Sequence, residues 1–258
     1  MQTSATQTLT QRLANPTRFM ELSARLLPWI VALACVLIAA GLAMAFTAPP
    51  DYQQGHTVKI MYVHVPAAWL SMLGYAVVAA SSFGLLVFRH PLADVSAKSA
   101  ALIGAVFTFL CLVTGSLWGK PMWGAFWTWD PRLTSVLILF FLYLGLIALR
   151  SSIEDEALAA NLTAVLGIVG IVILPVIRFS VDWNSIHQPP SVSRLGAPTI
   201  HPSLLWPLLI MAGGMLALFV ALHLKAMRNE ILRRRVKALR LAQVQAAAGL
   251  AEPVERRA

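Results

Sequence analysis

Six long apolar stretches separated by short polar segments dominate the hydropathy pattern of the chain, at about 27–46, 66–88, 100–117, 133–149, 157–177 and 204–224. Each is close to the roughly 20 residues that a helix needs to cross the hydrocarbon core of a bilayer. The pattern predicts an all-α integral membrane protein with six transmembrane helices. It divides the chain into an N-terminal tail at 1–26, a six-helix membrane domain at 27–224 and a C-terminal tail at 225–258. About 26 residues precede a first run that is itself span-length, so a cleavable signal peptide is not expected.

Composition sharpens this reading. Hydrophobic residues make up 58% of the chain and charged residues only 12%, and the mean hydropathy is +0.72, too apolar for an average soluble domain. The net charge of +9 raises the question of nucleic acid. Seven of the twenty basic residues, however, fall between Lys225 and Arg240, directly after the last span. Orientation in a membrane explains such a cluster, and no nucleic-acid partner is expected. Three basic residues precede the first span, two lie near residue 90, one near 150 and nine after the last span, fifteen on one side. The other side has five: Lys59, Lys120, Arg132, Arg178 and Arg194. The positive-inside bias therefore predicts both termini in the cytoplasm and the functional loops on the outer, periplasmic face. The basic tail could also contact anionic lipid heads or a cytoplasmic partner.

Candidate chemistry gathers on that outer side. The segment 118–135, WGKPMWGAFWTWDPRLTS, holds Trp118, Trp123, Trp127 and Trp129, four of the eight tryptophans of the chain. Tryptophan anchors membrane–water boundaries, and a belt is one reading. Four indoles beside Asp130 and Arg132 also suit the binding of something flat. The i, i+4 step from Trp123 to Trp127 would put two of them on one face of a helical turn. His56, His64, His187 and His201 fall on the same side, and His90 and His223 on the other. His64 precedes Pro66, which reads as the start of the second span and would leave the imidazole at the membrane surface. His187 lies in a loop of roughly 26 residues, too long for a plain connector.

Taken one at a time, these histidines suit surface roles; jointly, the outer loops bring a histidine, an aromatic platform and a second histidine to one membrane depth. Haem matches those parts, being an apolar disc with anionic propionates and an iron that accepts imidazole nitrogen. Zinc would need three or four close ligands and has no motif here. Cys35 and Cys111 lack C-x-x-C spacing and read as packing residues. Gly115 to Lys120 falls one residue short of a phosphate loop, so ATP hydrolysis by this chain is not expected. The acidic cluster Glu154, Asp155 and Glu156 reads as a solvated loop. Asp130 could pair with Arg132, or could orient a ligand histidine.

The segments WGKPMWGAFWTWDPRLTS, MYVHVPAAW and VDWNSIHQP resemble those of the tryptophan-rich haem-handling membrane proteins, and among them the CcmC family of cytochrome c maturation. The likeness runs from residue 20 to about 225. It implies a multi-pass protein of the bacterial inner membrane that holds haem b as transient cargo at the outer face and passes it to the haem chaperone CcmE. It also implies association with an ABC-type ATPase, CcmA, its membrane subunit CcmB and the small single-span protein CcmD. His64 and His187 would be the axial ligands of the iron. Trp118, Trp123, Phe126, Trp127 and Trp129 would hold the ring beside Asp130, and Arg132 and Arg178 are the stronger propionate partners, ahead of Lys120 and Arg194. Phe126 stands where relatives usually carry tryptophan, keeping a ring without an N–H donor, and Pro131 replaces a more usual small residue. No enzymatic role is expected, although the family promotes covalent linkage of haem to its chaperone. Two alternatives are a transmembrane haem permease working with the ATPase, and a bis-histidine electron-transfer cytochrome, whose histidines should lie within the spans.

Overall fold

The computed structural model describes residues 15–183 and 200–247, and within them the regular structure is helical. The helices are α1 (Pro16–Thr47), α2 (Met61–Phe88), α3 (Pro91–Trp123), α4 (Pro131–Ser152), α5 (Glu156–Val169), α6 (Ile173–Phe179) and α7 (Pro202–Ala247). A 3-10 turn at His56–Ile60 leads into α2, and another at Gly170–Val172 joins α5 to α6. Six segments are long and apolar enough to span a membrane, with α5 and α6 together making the fifth.

Helix starts are set by a polar residue followed by proline. Asn15–Pro16, His90–Pro91, Asp130–Pro131 and His201–Pro202 each open a helix. Proline lacks the N–H that the first turn leaves unpaired, and the preceding side chain accepts a nearby backbone N–H. Asn15 Oδ1 accepts from Thr17 N at 2.9 Å, Asp130 Oδ1 from Leu133 N at 2.7 Å, and His90 Nδ1 from Leu92 N at 3.3 Å. Because caps lie outside the apolar runs, the helices outlast them. At about 1.5 Å per residue, the 46-residue α7 is about 69 Å long, roughly twice the hydrocarbon thickness.

Three expectations are corrected. Helix α2 starts at Met61 rather than at Pro66, so His64 sits on its first turn and Pro66 lies inside the helix. The tryptophan-rich segment is not one loop: Trp118 and Trp123 belong to α3, and only 124–130 connect to α4. Trp123 and Trp127 therefore share no helical turn, because Gly124, at φ 77°, ends α3 with its N–H on Lys120 O. The left-handed conformation suits glycine and terminates the ladder.

The bundle pairs α1 with α7 and α2 with α3, and α4 and α5 close the far side. One core beneath the tryptophans contains Tyr62, Leu70, Phe107, Leu208 and Met211. A second contains Tyr75, Leu139 and Tyr143. Tyr143, fully buried, donates its hydroxyl to Ser71 O at 2.7 Å and meets Tyr75 edge to face at 5.2 Å. Large apolar side chains such as Trp29, Phe46 and Phe88 point outward, as expected where lipid is the solvent. Cys111 is buried in the first core and Cys35 faces outward.

The end opposite the tryptophans is tied by charge. Asp94 on α3 accepts from Arg150 of α4 and Arg234 of α7. Glu230 accepts from Lys98 at 3.0 Å, Arg233 at 2.7 Å and Arg234 at 2.8 Å. Burial pushes the Glu230 carboxyl up, but the hydrogen bonds from Arg233, Arg234 and Lys98 outweigh it and hold it well below the usual carboxylate range. Glu230 lies beyond the last apolar run. The acidic cluster is not merely a solvated loop. Asp155 caps α5 through Ala157 N at 2.8 Å and Leu158 N at 3.0 Å, which lowers its own pKa, and Glu156 bonds Lys237 at 2.8 Å.

Candidate functional site

The tryptophan-rich end is assembled from α2, α3, the 124–130 connector, α4 and α6. His64 is half-buried on the first turn of α2. Its Nδ1 lies 3.0 Å from Thr114 Oγ1 of α3. One turn beyond Thr114, Trp118 presents its ring edge to edge-on contact with His64, with centroids 5.6 Å apart and planes at 78°. Trp118 is itself held, because its indole N–H donates to Gln54 Oε1 at 3.0 Å. Gln54 is placed by a tight turn in which Asp51 Oδ1 accepts the N–H groups of Gln53 and Gln54, each at 2.9 Å. Thr114 sits four residues before Trp118, so the two share one face of α3.

Glycines set how closely the parts approach. A Cβ at Gly115 would stand 2.9 Å from His64 Cε1, and one at Gly119 would stand 2.9 Å from the Trp123 ring. Each ring therefore lies against bare α3 backbone.

The other aromatic residues follow in the connector. Trp127 and Trp129 meet edge to face at 5.6 Å and 81°, so the rings form a faceted wall rather than one flat platform. Trp129 is 78% exposed and Phe126 56% exposed. Lys120 braces the connector, donating to Gly124 O at 2.9 Å and standing 5.3 Å over the Phe126 ring. Trp127 Nε1 and Thr128 Oγ1 are buried with no hydrogen-bond partner among the described residues. Buried polar groups normally have partners, so the wall carries two unused polar positions.

The basic residues lie at the rim. Arg132 is the second residue of α4, after the Asp130 cap and Pro131, and Arg178 lies on α6. Arg178 also lies 5.9 Å over the Phe179 ring. Lys59, on the 3-10 turn before α2, donates to Phe46 O at 2.7 Å and ties α1 to this end.

The structure thus brings together His64, Trp118, Trp123, Phe126, Trp127, Trp129, Asp130, Arg132 and Arg178 at one end of the bundle. His187 and Arg194 lie outside the described residues. The sequence does not mark Thr114 and Gln54, and it marks Gly115 only as part of an incomplete phosphate loop. Their local signal is a threonine and a glycine one helical turn before Trp118, but contact with His64 spans 50 positions.

The sequence profile of a known family, heme exporter protein C (CcmC), matches residues 9–242. The heme exporter protein C of Bradyrhizobium diazoefficiens is 60% identical over 232 residues, covering 90% of this chain and 88% of the relative. That of Paracoccus denitrificans is 44% identical over 228 residues, 88% of this chain and 95% of the relative. That of Escherichia coli K12 is 44% identical over 223 residues, 86% and 90% of the two chains. With this coverage and the six spanning helices, the chain belongs to the heme exporter protein C family, multi-pass membrane proteins that handle haem for cytochrome c maturation.

Proposed function

We propose that the protein holds haem b at the outer face of the bacterial inner membrane and delivers it to the chaperone CcmE. The observation that carries this reading is the seating of His64 against Trp118 at 5.6 Å, beside an aromatic wall and a rim bearing Arg132 and Arg178. Imidazole nitrogen suits the iron axis, aromatic rings suit the apolar faces, and guanidinium groups suit the propionates. His64 is the axial ligand on one side and His187 on the other. Trp118, Trp123, Phe126, Trp127 and Trp129 supply contact area, each buried aromatic face contributing on the order of 1–3 kcal/mol. Asp130 contributes indirectly, by capping α4 and so fixing Arg132.

The positive-inside bias supports a cytoplasmic location for the Glu230 end and for both termini. The ATP-driven step belongs to CcmA and CcmB, with CcmD as a further subunit. The chain itself acts as a holder and donor rather than as an enzyme. Against conduction by this chain alone stand the side chains beneath His64: Tyr62, Leu70, Phe107, Leu208 and Met211 are each buried in one close-packed core. Replacing His64 or His187 by alanine in purified protein and recording the visible spectrum tests the reading. Loss or change of the axial-ligand bands is expected for each, and an unchanged spectrum removes that residue from the iron.

A further inference from the structure

Ala97 and Ala101 on α3, and Ala160 and Ala164 on α5, recur at the i, i+4 spacing that puts each pair on one helix face. With bulk missing from both faces, a cavity of about 300 Å³ is left between α2, α3, α4 and α5, at the end of the bundle away from the tryptophans. Close-packed interiors have few voids larger than a water molecule, so this space calls for an occupant. Its deep part is apolar, walled by Val78, Leu146 and the alanines, and apolar cavities stay dry. Leu102 lines it while being 60% exposed, so the cavity opens sideways onto the lipid-facing surface.

Polar groups lie nearer the helix ends. Asp94, Lys98, Arg150 and Ser151 line the mouth, within about two turns of the start of α3 or the end of α4. Arg150 is committed to Asp94 through both terminal nitrogens. Lys98 has three ammonium hydrogens and one carboxylate partner, Glu230 at 3.0 Å, and its side chain is 34% exposed. In the surrounding ion-pair network, Lys98, Arg150, Arg233, Arg234 and Lys237 share Asp94, Glu230 and Glu156, which leaves a net charge of +2. Deeper in, Ser82 is 1% exposed and lines the cavity, and its Oγ has no hydrogen-bond partner among the described residues. A buried hydroxyl costs stability until a partner reaches it.

We propose that this cavity is a site for an anionic phospholipid, with one acyl chain between the alanine faces, an ester oxygen accepting from Ser82 and the phosphate on Lys98. The lipid presents apolar, polar and anionic parts in the order in which the cavity does. Basic pockets between spans on the cytoplasmic side are a recurrent seat for such headgroups, and the positive-inside bias supports the cytoplasmic leaflet for this end. The zwitterionic headgroup of a neutral phospholipid cancels its own phosphate charge, so the surplus of two cations favours the anionic class. The site stands apart from the haem reading, at the opposite end of the bundle.

The test uses the full chain in phosphatidylcholine nanodiscs, doped with phosphatidylglycerol or phosphatidylcholine carrying the same photoactivatable diazirine acyl chain, and maps the labelled positions by mass spectrometry. The phosphatidylglycerol probe is expected to label 97–102, 146–151 and 160–164 several-fold more than the neutral probe. Lys98→Gln is expected to lower labelling by the anionic probe about fivefold, the share of one basic residue near a bilayer surface, and to leave the neutral probe unaffected. Lys237→Gln, a cation of the same network outside the cavity lining, is expected to lower it less. Ser82→Ala is expected to weaken labelling by both probes while the thermal midpoint in phosphatidylcholine alone holds or rises. Ala97→Phe, which fills the cavity, is expected to abolish labelling there. Equal labelling by the two probes would overturn the headgroup assignment. Labelling spread evenly over the lipid-facing surface, or unchanged in Ala97→Phe, would overturn the cavity as the site. A loss in Lys237→Gln as large as that in Lys98→Gln would reduce the effect to the overall charge of this end and overturn the proposal as well. Should Lys98→Gln or Ala97→Phe not fold, the contrast between the two probes on the wild type still decides.

Discussion

Replacing Gly104 by alanine should loosen the bundle and, through it, the haem seat. The new Cβ would stand 2.1 Å from the Tyr143 hydroxyl oxygen and 2.2 Å from Cζ, far inside the ~3.5 Å of ordinary contact. Tyr143 has no inexpensive escape. It is fully buried, its hydroxyl is bonded to Ser71 O at 2.7 Å, and its ring abuts Tyr75 at 5.2 Å. On the opposite side, a Cβ at Gly74 would already lie 2.8 Å from the same hydroxyl. Overpacking of this kind costs about 1–3 kcal/mol, and loss of an interhelical hydrogen bond in a membrane bundle adds about 0.6–1.7 kcal/mol. The expected total is about 2–5 kcal/mol. For a chain of this size that lowers the thermal midpoint by about 5–15 °C, measurable by unfolding of the purified protein in detergent. Because α2 carries His64 and α3 carries Thr114 and Trp118, hemin retention should fall as well. Shortening the clashing side chain in Gly104→Ala/Tyr143→Leu should recover part of the loss, so the double variant is more stable than the two single losses added together. A Gly104→Ala midpoint within about 2 °C of wild type, or strict additivity in the double variant, would refute the packing argument.

Trp127→Phe removes a buried indole N–H that has no partner among the described residues. Unpaired buried donors cost about 1–3 kcal/mol, so the haem-free thermal midpoint should hold or rise while hemin retention falls. Asp94→Asn leaves the Arg150 and Arg234 guanidinium groups facing each other without their shared carboxylate. Breaking a buried pair costs about 3–5 kcal/mol, reduced here to about 2–3 kcal/mol because Arg234 reaches water. The thermal midpoint should drop and the spectrum of bound hemin, at the opposite end, should not change. Glu230, with its pKa depressed in the folded state, contributes stability that is complete above the ordinary carboxylate value of about 4.3. That contribution is lost as pH falls below it. Between about pH 5 and pH 3, the wild-type thermal midpoint should therefore fall more steeply than that of Glu230→Gln.

The spans were legible in the sequence because apolar length is what a bilayer demands, and six runs became six spanning segments. Their ends were less legible, since hydropathy marks lipid depth rather than helix continuity. Helix α7 runs on to Ala247 through a basic stretch without an apolar signal, and α2 starts five residues ahead of Pro66. The tryptophans, His64 and the rim arginines were legible as residue types whose chemistry fits one ligand. What supports them was not. Thr114 reaches His64 across 50 positions, and Gln54 reaches Trp118 across 64; such pairings depend on how α2 and α3 cross. Likewise nothing local in the sequence joins Asp94 to Arg234 or Lys98 to Glu230, pairs that form only where α7 packs along α3.

The most direct measurement is the visible spectrum of the intact chain purified from membranes, set beside those of His64→Ala and the Trp118→Ala/Trp127→Ala double variant. A haem spectrum with nitrogenous axial ligation is expected for the wild type, with altered ligation in the histidine variant and lost haem in the double tryptophan variant. A colourless wild type that also refuses added hemin, or a haem signal unaltered by both changes, would contradict the claim that this end of the bundle carries haem.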